Sequence, residues 1–132
     1  MQNIRLTYHI HAPIDTVWKA LVDPISINGW GGGPAKMDDK VGTEFELWGG
    51  DIYGKNLAVV PNEKLVQDWY GGDWAKPSKA TFLLTKVSDN ETRLDLVHED
   101  VPDEAARDIE NGWDKYYLDP MKKYVEIGRA HV

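Results

Sequence analysis

Polar and apolar residues alternate at the start of the chain. Ile4, Leu6, Tyr8 and Ile10 take one parity and Arg5, Thr7, His9 and His11 the other, the two-residue period of a strand buried on one side. Pro13 ends that strand and opens a short helix over 14–22, in which Ile14, Val17, Trp18 and Leu21 recur at helical spacing. Pro24 closes it, because the residue ahead of a proline is pushed out of the helical region. One further turn fits over 25–30 before the glycines at 29 and 31–33 and Pro34 break regular structure.

From 43 to 99 the pattern is a series of short strands, 43–48, 52–60, 63–70, 79–87 and 92–99, joined by turn-forming runs such as Gly49-Gly50-Asp51, Pro61-Asn62 and Ser88-Asp89-Asn90-Glu91. These joints are too short to hold crossover helices, so the strands form an antiparallel meander. The inward parity carries Phe45 and Leu47, then Leu65, Gln67 and Trp69, then Phe82 and Leu84, then Leu94, Leu96 and His98. Strand 52–60 admits two registers, with either Tyr53, Lys55, Leu57 and Val59 or Gly54, Asn56, Ala58 and Val60 facing in; a slip of one residue exchanges them.

After Pro102-Asp103-Glu104 the period changes. Ala105, Ile109, Gly112, Trp113, Tyr116, Tyr117, Met121, Tyr124 and Val125 recur at intervals of three and four, predicting one long helix with acidic residues early and lysines late. Pro120 should kink it or weaken its last turns. The sum is one α+β domain over 1–127 with a loose tail at 128–132. A curved antiparallel sheet of six or seven strands wraps around the long C-terminal helix, and two short helices follow the first strand.

Charge and composition narrow the uses of such a domain. The 132 residues carry 15 basic and 22 acidic side chains, a formal charge of -7, and no cysteine. Disulfides, thiolate metal sites and cysteine nucleophiles are excluded, and a negative excess disfavours nucleic acid as a partner. The longest aliphatic run spans only 57–60, so neither a signal peptide nor a membrane span is expected and the cytoplasm is the default location. Residues 99–126 hold nine acidic and four basic residues, making one helix face acidic.

The run Ala12-Pro13-Ile14-Asp15-Thr16-Val17-Trp18-Lys19-Ala20-Leu21, followed by Asp23-Pro24 and Trp30, resembles the opening of the START-like helix-grip superfamily. Three further stretches resemble the C-terminal domain of the activator of heat-shock protein 90 ATPase family. They are residues 57–69 (LAVVPNEKLVQDW), Asp73-Trp74, and Val101-Pro102-Asp103-Glu104 leading to Gly112-Trp113-Asp114-Lys115-Tyr116-Tyr117. The resemblance covers about residues 4–126 and implies the helix-grip fold. It also implies either a ligand held between sheet and helix, as in relatives within the superfamily, or a co-chaperone role in a stress response.

Six tryptophans must find a place. Two uses fit the inward aromatic set: a filled core, or the wall of a cavity for a small hydrophobic or aromatic ligand. The cavity reading assigns the wall to Phe45, Leu47, Gln67, Trp69, Phe82, Leu84, Leu96, His98, Ile109, Trp113, Tyr116 and Tyr117, with Trp30, Gly31 and Gly32 as a lid over its mouth. Trp48, Tyr70 and Trp74 take outward or loop positions and are candidates for docking a chaperone or other protein, or a second copy in a homodimer, the alternative being a monomer. His9 and His11 face away from His98, so no metal site is expected. No GxSxG elbow or Ser-His-Asp set is legible, which favours a non-enzymatic protein without cofactor over a hydrolase or cyclase in the same cavity.

Overall fold

The computed structural model describes residues 1–71, 74 and 76–130, with the backbone alone for 127–130. Six strands form one antiparallel sheet: β1 (Gln2–Ile10), β2 (Glu44–Leu47), β3 (Ile52–Val60), β4 (Lys64–Gly71), β5 (Ser78–Ser88) and β6 (Glu91–Val101), in spatial order β1-β6-β5-β4-β3-β2. Hairpin neighbours pair directly, and β1 closes the far side on β6 through Leu6–Leu96 and Tyr8–Leu94. Helices α1 (Ile14–Val22) and α2 (Pro24–Trp30) fill the connection from β1 to β2. Asp23 caps α2 by accepting from the Ile25 amide, and Pro24 supplies a first-turn residue that needs no donor.

The two-residue period correctly locates the strands. It fails to settle β3 because a bulge lies between Asn56 and Ala58. Asn56 is buried, Leu57 is exposed, and inward parity resumes at Val59, opposite Leu65. Each proposed register therefore holds for only part of the strand. Gly54 in the same strand runs so close to β4 that a Cβ there would fall 1.9 Å from the Asp68 carbonyl oxygen.

The C-terminal helical run starts later than the sequence suggests, at Ala106, and passes through three parts: α3 (Ala106–Gly112), a π-helical segment (Trp113–Leu118) and α4 (Asp119–Ala130). Pro120 explains the middle part. A proline in a regular helix has no amide for the carbonyl four residues back and its ring crowds that carbonyl. Widening to five-residue spacing just before it, with the Asp119 amide bonded to the Asp114 carbonyl, accommodates the ring. Backbone described as helix continues through Ala130, where a loose tail was expected from 128; residues 131 and 132 lie outside the described residues.

Trp113, Tyr117, Leu118, Met121 and Val125 form one core with Phe45, Leu65, Trp69, Phe82, Leu94 and Leu96 of the sheet. Each such side chain contributes roughly 1.5–3 kcal/mol by leaving water. No helix among the described residues is long and apolar enough to cross a membrane.

Candidate functional site

Rings fill the space between sheet and helix. Trp69 on β4 stacks on Trp113 with centroids 4.4 Å apart. Tyr117, one turn further on, lies 4.8 Å from Trp113, 5.7 Å from Phe82 and 4.6 Å from Trp30. Aromatic pairs at these separations contribute about 0.5–1.5 kcal/mol each beyond area burial. The enclosed hollow expected from sequence is thus largely occupied: Phe45, Leu47, Gln67, Phe82, Leu84, Leu96 and His98 are packed core residues that do not border the cleft left between sheet and helix, although Phe45 also borders a separate groove.

Two hydrogen-bonded chains satisfy the polar groups in this interior. Trp69 Nε1 donates to Gln67 Oε1 at 3.0 Å, Gln67 Nε2 donates to Asn56 Oδ1 at 2.9 Å, and Asn56 Nδ2 donates to the Asp38 carbonyl at 2.8 Å. In the other, Trp113 Nε1 donates to His98 Nδ1 at 2.9 Å. An indole nitrogen only donates, so Nδ1 holds the lone pair and Nε2 carries the proton. His98 Nε2–H then donates to Ser78 Oγ at 2.7 Å, and Ser78 donates to the Trp69 carbonyl at 3.0 Å. Burial pushes the His98 imidazole down to about 4. The Ser78–His98 pair resembles a nucleophile and its base, but the imidazole lone pair is engaged by Trp113 and cannot take the serine proton.

A cleft of about 360 Å³ remains between the α3–π region and the start of β3, toward the lower end of the roughly 300–1,000 Å³ usual for small-molecule sites. Trp69, Ile109, Trp113, Tyr116 and Tyr117 of the expected wall border it. So do Trp48, Asp51, Ile52, Asp108 and Gly112, which sequence reasoning did not place there. Tyr117 is 1% exposed, and its hydroxyl is buried without a hydrogen-bond partner among the described residues. Burial pushes its phenol above the ordinary tyrosine range. An unpartnered buried hydroxyl costs about 1–3 kcal/mol.

The supposed lid is structural. Trp30 is buried, with Nε1 donating to the Ala20 carbonyl at 2.9 Å. Gly31, at φ 102°, ends α2 in the left-handed region. The Gly31 and Gly32 carbonyls accept from Trp48 Nε1 at 2.9 Å and the Trp48 amide at 2.7 Å. None of these three residues borders the cleft; they clamp Trp48, which does.

The docking trio is also separated. Trp48 packs edge-on against Trp30 and Tyr117, and Trp74 is partly buried against the core beside Gly71. Tyr70 stacks on Tyr53 at 5.0 Å and borders a different, more polar groove of about 590 Å³ with Glu44, Glu46, Lys55 and Asp68. Asp73, part of the motif Asp73-Trp74, lies outside the described residues. Two of the overlooked features had a signal. Extending the inward parity of Phe82 and Ala80 back one step reaches Ser78, and Gly49-Gly50 warned that strand parity ends at Trp48.

Comparison with known proteins adds a lineage to this geometry. The family model described as "Activator of Hsp90 ATPase homolog 1-like protein" matches residues 11–126. The activator of 90 kDa heat shock protein ATPase homolog of Dictyostelium discoideum is 30% identical over 88 residues, 65% of this chain and 23% of that protein. The human activator homolog 1 is 28% identical over 96 residues, 72% of this chain and 28% of its own length. The chain therefore spans about a quarter of the length of these relatives. Among solved structures, an HSP90 activator from Plasmodium falciparum superposes with a TM-score of 0.88 at 25% identity, covering 97% of both chains.

Proposed function

Because the chain belongs to the Activator of Hsp90 ATPase homolog 1-like family, in which the helix-grip fold is shared, we propose that it is a cytoplasmic, non-enzymatic binding protein that holds a small apolar or aromatic molecule in the cleft between its C-terminal helix and the start of β3. The aromatic wall carries this reading: Trp48, Trp69, Trp113, Tyr116 and Tyr117 all border one cleft of small-molecule size. Such walls supply shape and apolar area to a small organic molecule. A hydrolase or cyclase reading has less support, since the one serine–histidine contact described is sealed in the core with its imidazole lone pair engaged.

Native mass spectrometry of freshly purified protein tests the proposal. A bound small molecule should appear as an adduct in the natural chain and be lost in Gly112→Leu, whose side chain would take up part of the cleft. An adduct equally abundant in both proteins would place the ligand elsewhere.

The names of the relatives support a second reading, in which the domain docks on a chaperone of the 90-kDa heat-shock class. Tyr116, at the cleft rim on the acidic helix, is the most exposed aromatic residue among those described, at 56%. Tyr116→Ala should then weaken capture of that chaperone while leaving thermal stability nearly unchanged.

A further inference from the structure

The charge of the cleft wall specifies its ligand further, on the premise that the cleft binds a small molecule. Asp51, in the turn before β3, and Asp108, on α3, both border it, and among the described residues no lysine, arginine or histidine does. Neither carboxylate enters an ion pair or a side-chain hydrogen bond among the described residues. The rest of the wall is dominated by the rings of Trp48, Trp69, Trp113 and Tyr116. A carboxylate presents a full negative charge, which favours a cation and repels an anion, and the apolar ring surface beside it suits the organic part of such a cation.

We propose that the cleft selects a small organic cation, an aromatic or alkyl group bearing an ammonium. The apolar part lies against the indoles, and the charge faces Asp51 and Asp108.

Three probes of similar size separate charge from shape: 2-phenylethylammonium, 2-phenylethanol and 3-phenylpropanoate. They are titrated calorimetrically, with tryptophan fluorescence in parallel, at low ionic strength into the natural chain and into the double variant Asp51→Asn, Asp108→Asn. The ammonium should bind about tenfold more tightly than the alcohol, with the carboxylate weakest. Added salt should narrow the gap, because charge attraction at an open cleft is screened. In the double variant the ammonium should fall to within about twofold of the alcohol, whose own affinity is unchanged. Equal binding of ammonium and alcohol by the natural chain overturns charge selection and leaves the cleft reading standing. A preference that survives the double variant overturns the role of the two carboxylates. No binding by any probe overturns both proposals.

Discussion

The indole N–H of Trp113 donates to Nδ1 of His98 across 2.9 Å, joining the π segment of the C-terminal helix to strand β6 through a buried contact. Protonating His98 would put a second hydrogen where the indole already points, and burial alone holds its pKa down to about 4. An unfolded histidine titrates near 6.5, so between those values the unfolded chain binds more protons than the folded one. Stability is complete above pH 6.5 and is lost as pH falls toward 4, by up to about 3 kcal/mol. Urea unfolding midpoints measured from pH 7.5 to 4 should show this slope, and His98→Leu should flatten it, although the variant is less stable at neutral pH. A slope unchanged by the substitution would assign the acid sensitivity to other groups.

Trp48 is a structural tryptophan. Its ring packs on Trp30 and Tyr117, and both its nitrogens are bonded to the α2 cap. Trp48→Ala should therefore cost about 2–3 kcal/mol in chemical denaturation, below the cost of emptying a fully buried site because the residue is only partly covered. A loss under about 0.5 kcal/mol would return Trp48 to the class of surface residues.

The meander from β2 to β6, the two short helices and the inward parity of β4, β5 and β6 were legible because one face of each strand meets the core, and a two-residue period records that directly; the pairing of β1 with β6 was not. The β3 register was hidden by the bulge beside Leu57, an extra residue that alternation cannot reveal. Trp48 followed strand parity on paper and looked outward, but its φ of 49° takes the chain into the left-handed region and breaks the alternation there. The aromatic residues expected along a cavity wall divide between core and cleft because bulky rings on facing elements fill the space between them. Asp51 and Asp108 read in sequence as ordinary solvated charges; only the folded chain brings a turn before β3 and a helix 57 residues later to one cleft. Pro120 did signal irregularity, which took the form of a π segment that carries Trp113 and Tyr117.

Tyr117→Phe separates stability from binding. Removing a buried hydroxyl that has no protein partner should raise unfolding stability by up to about 1 kcal/mol, since its desolvation cost disappears with it. Binding in the cleft should be unchanged in the same variant, because the hydroxyl has no surface open to it. Differential calorimetry and a binding titration on one preparation measure both. A less stable variant would mean that the hydroxyl serves the fold.

Gly112 allows the most direct test. It borders the cleft, holds helical angles of φ −65° and ψ −36°, and a Cβ built on it meets nothing closer than Tyr116 at 3.9 Å. Leucine there should improve helix propensity by about 0.8 kcal/mol and take up part of the cleft. The deciding measurement is quenching of tryptophan fluorescence by 2-phenylethanol in the natural chain and in Gly112→Leu. A ligand cleft predicts saturable quenching in the first and none in the second, whose melting temperature is at least as high. Identical titrations in the two proteins, or no saturable quenching in the natural chain, would contradict it.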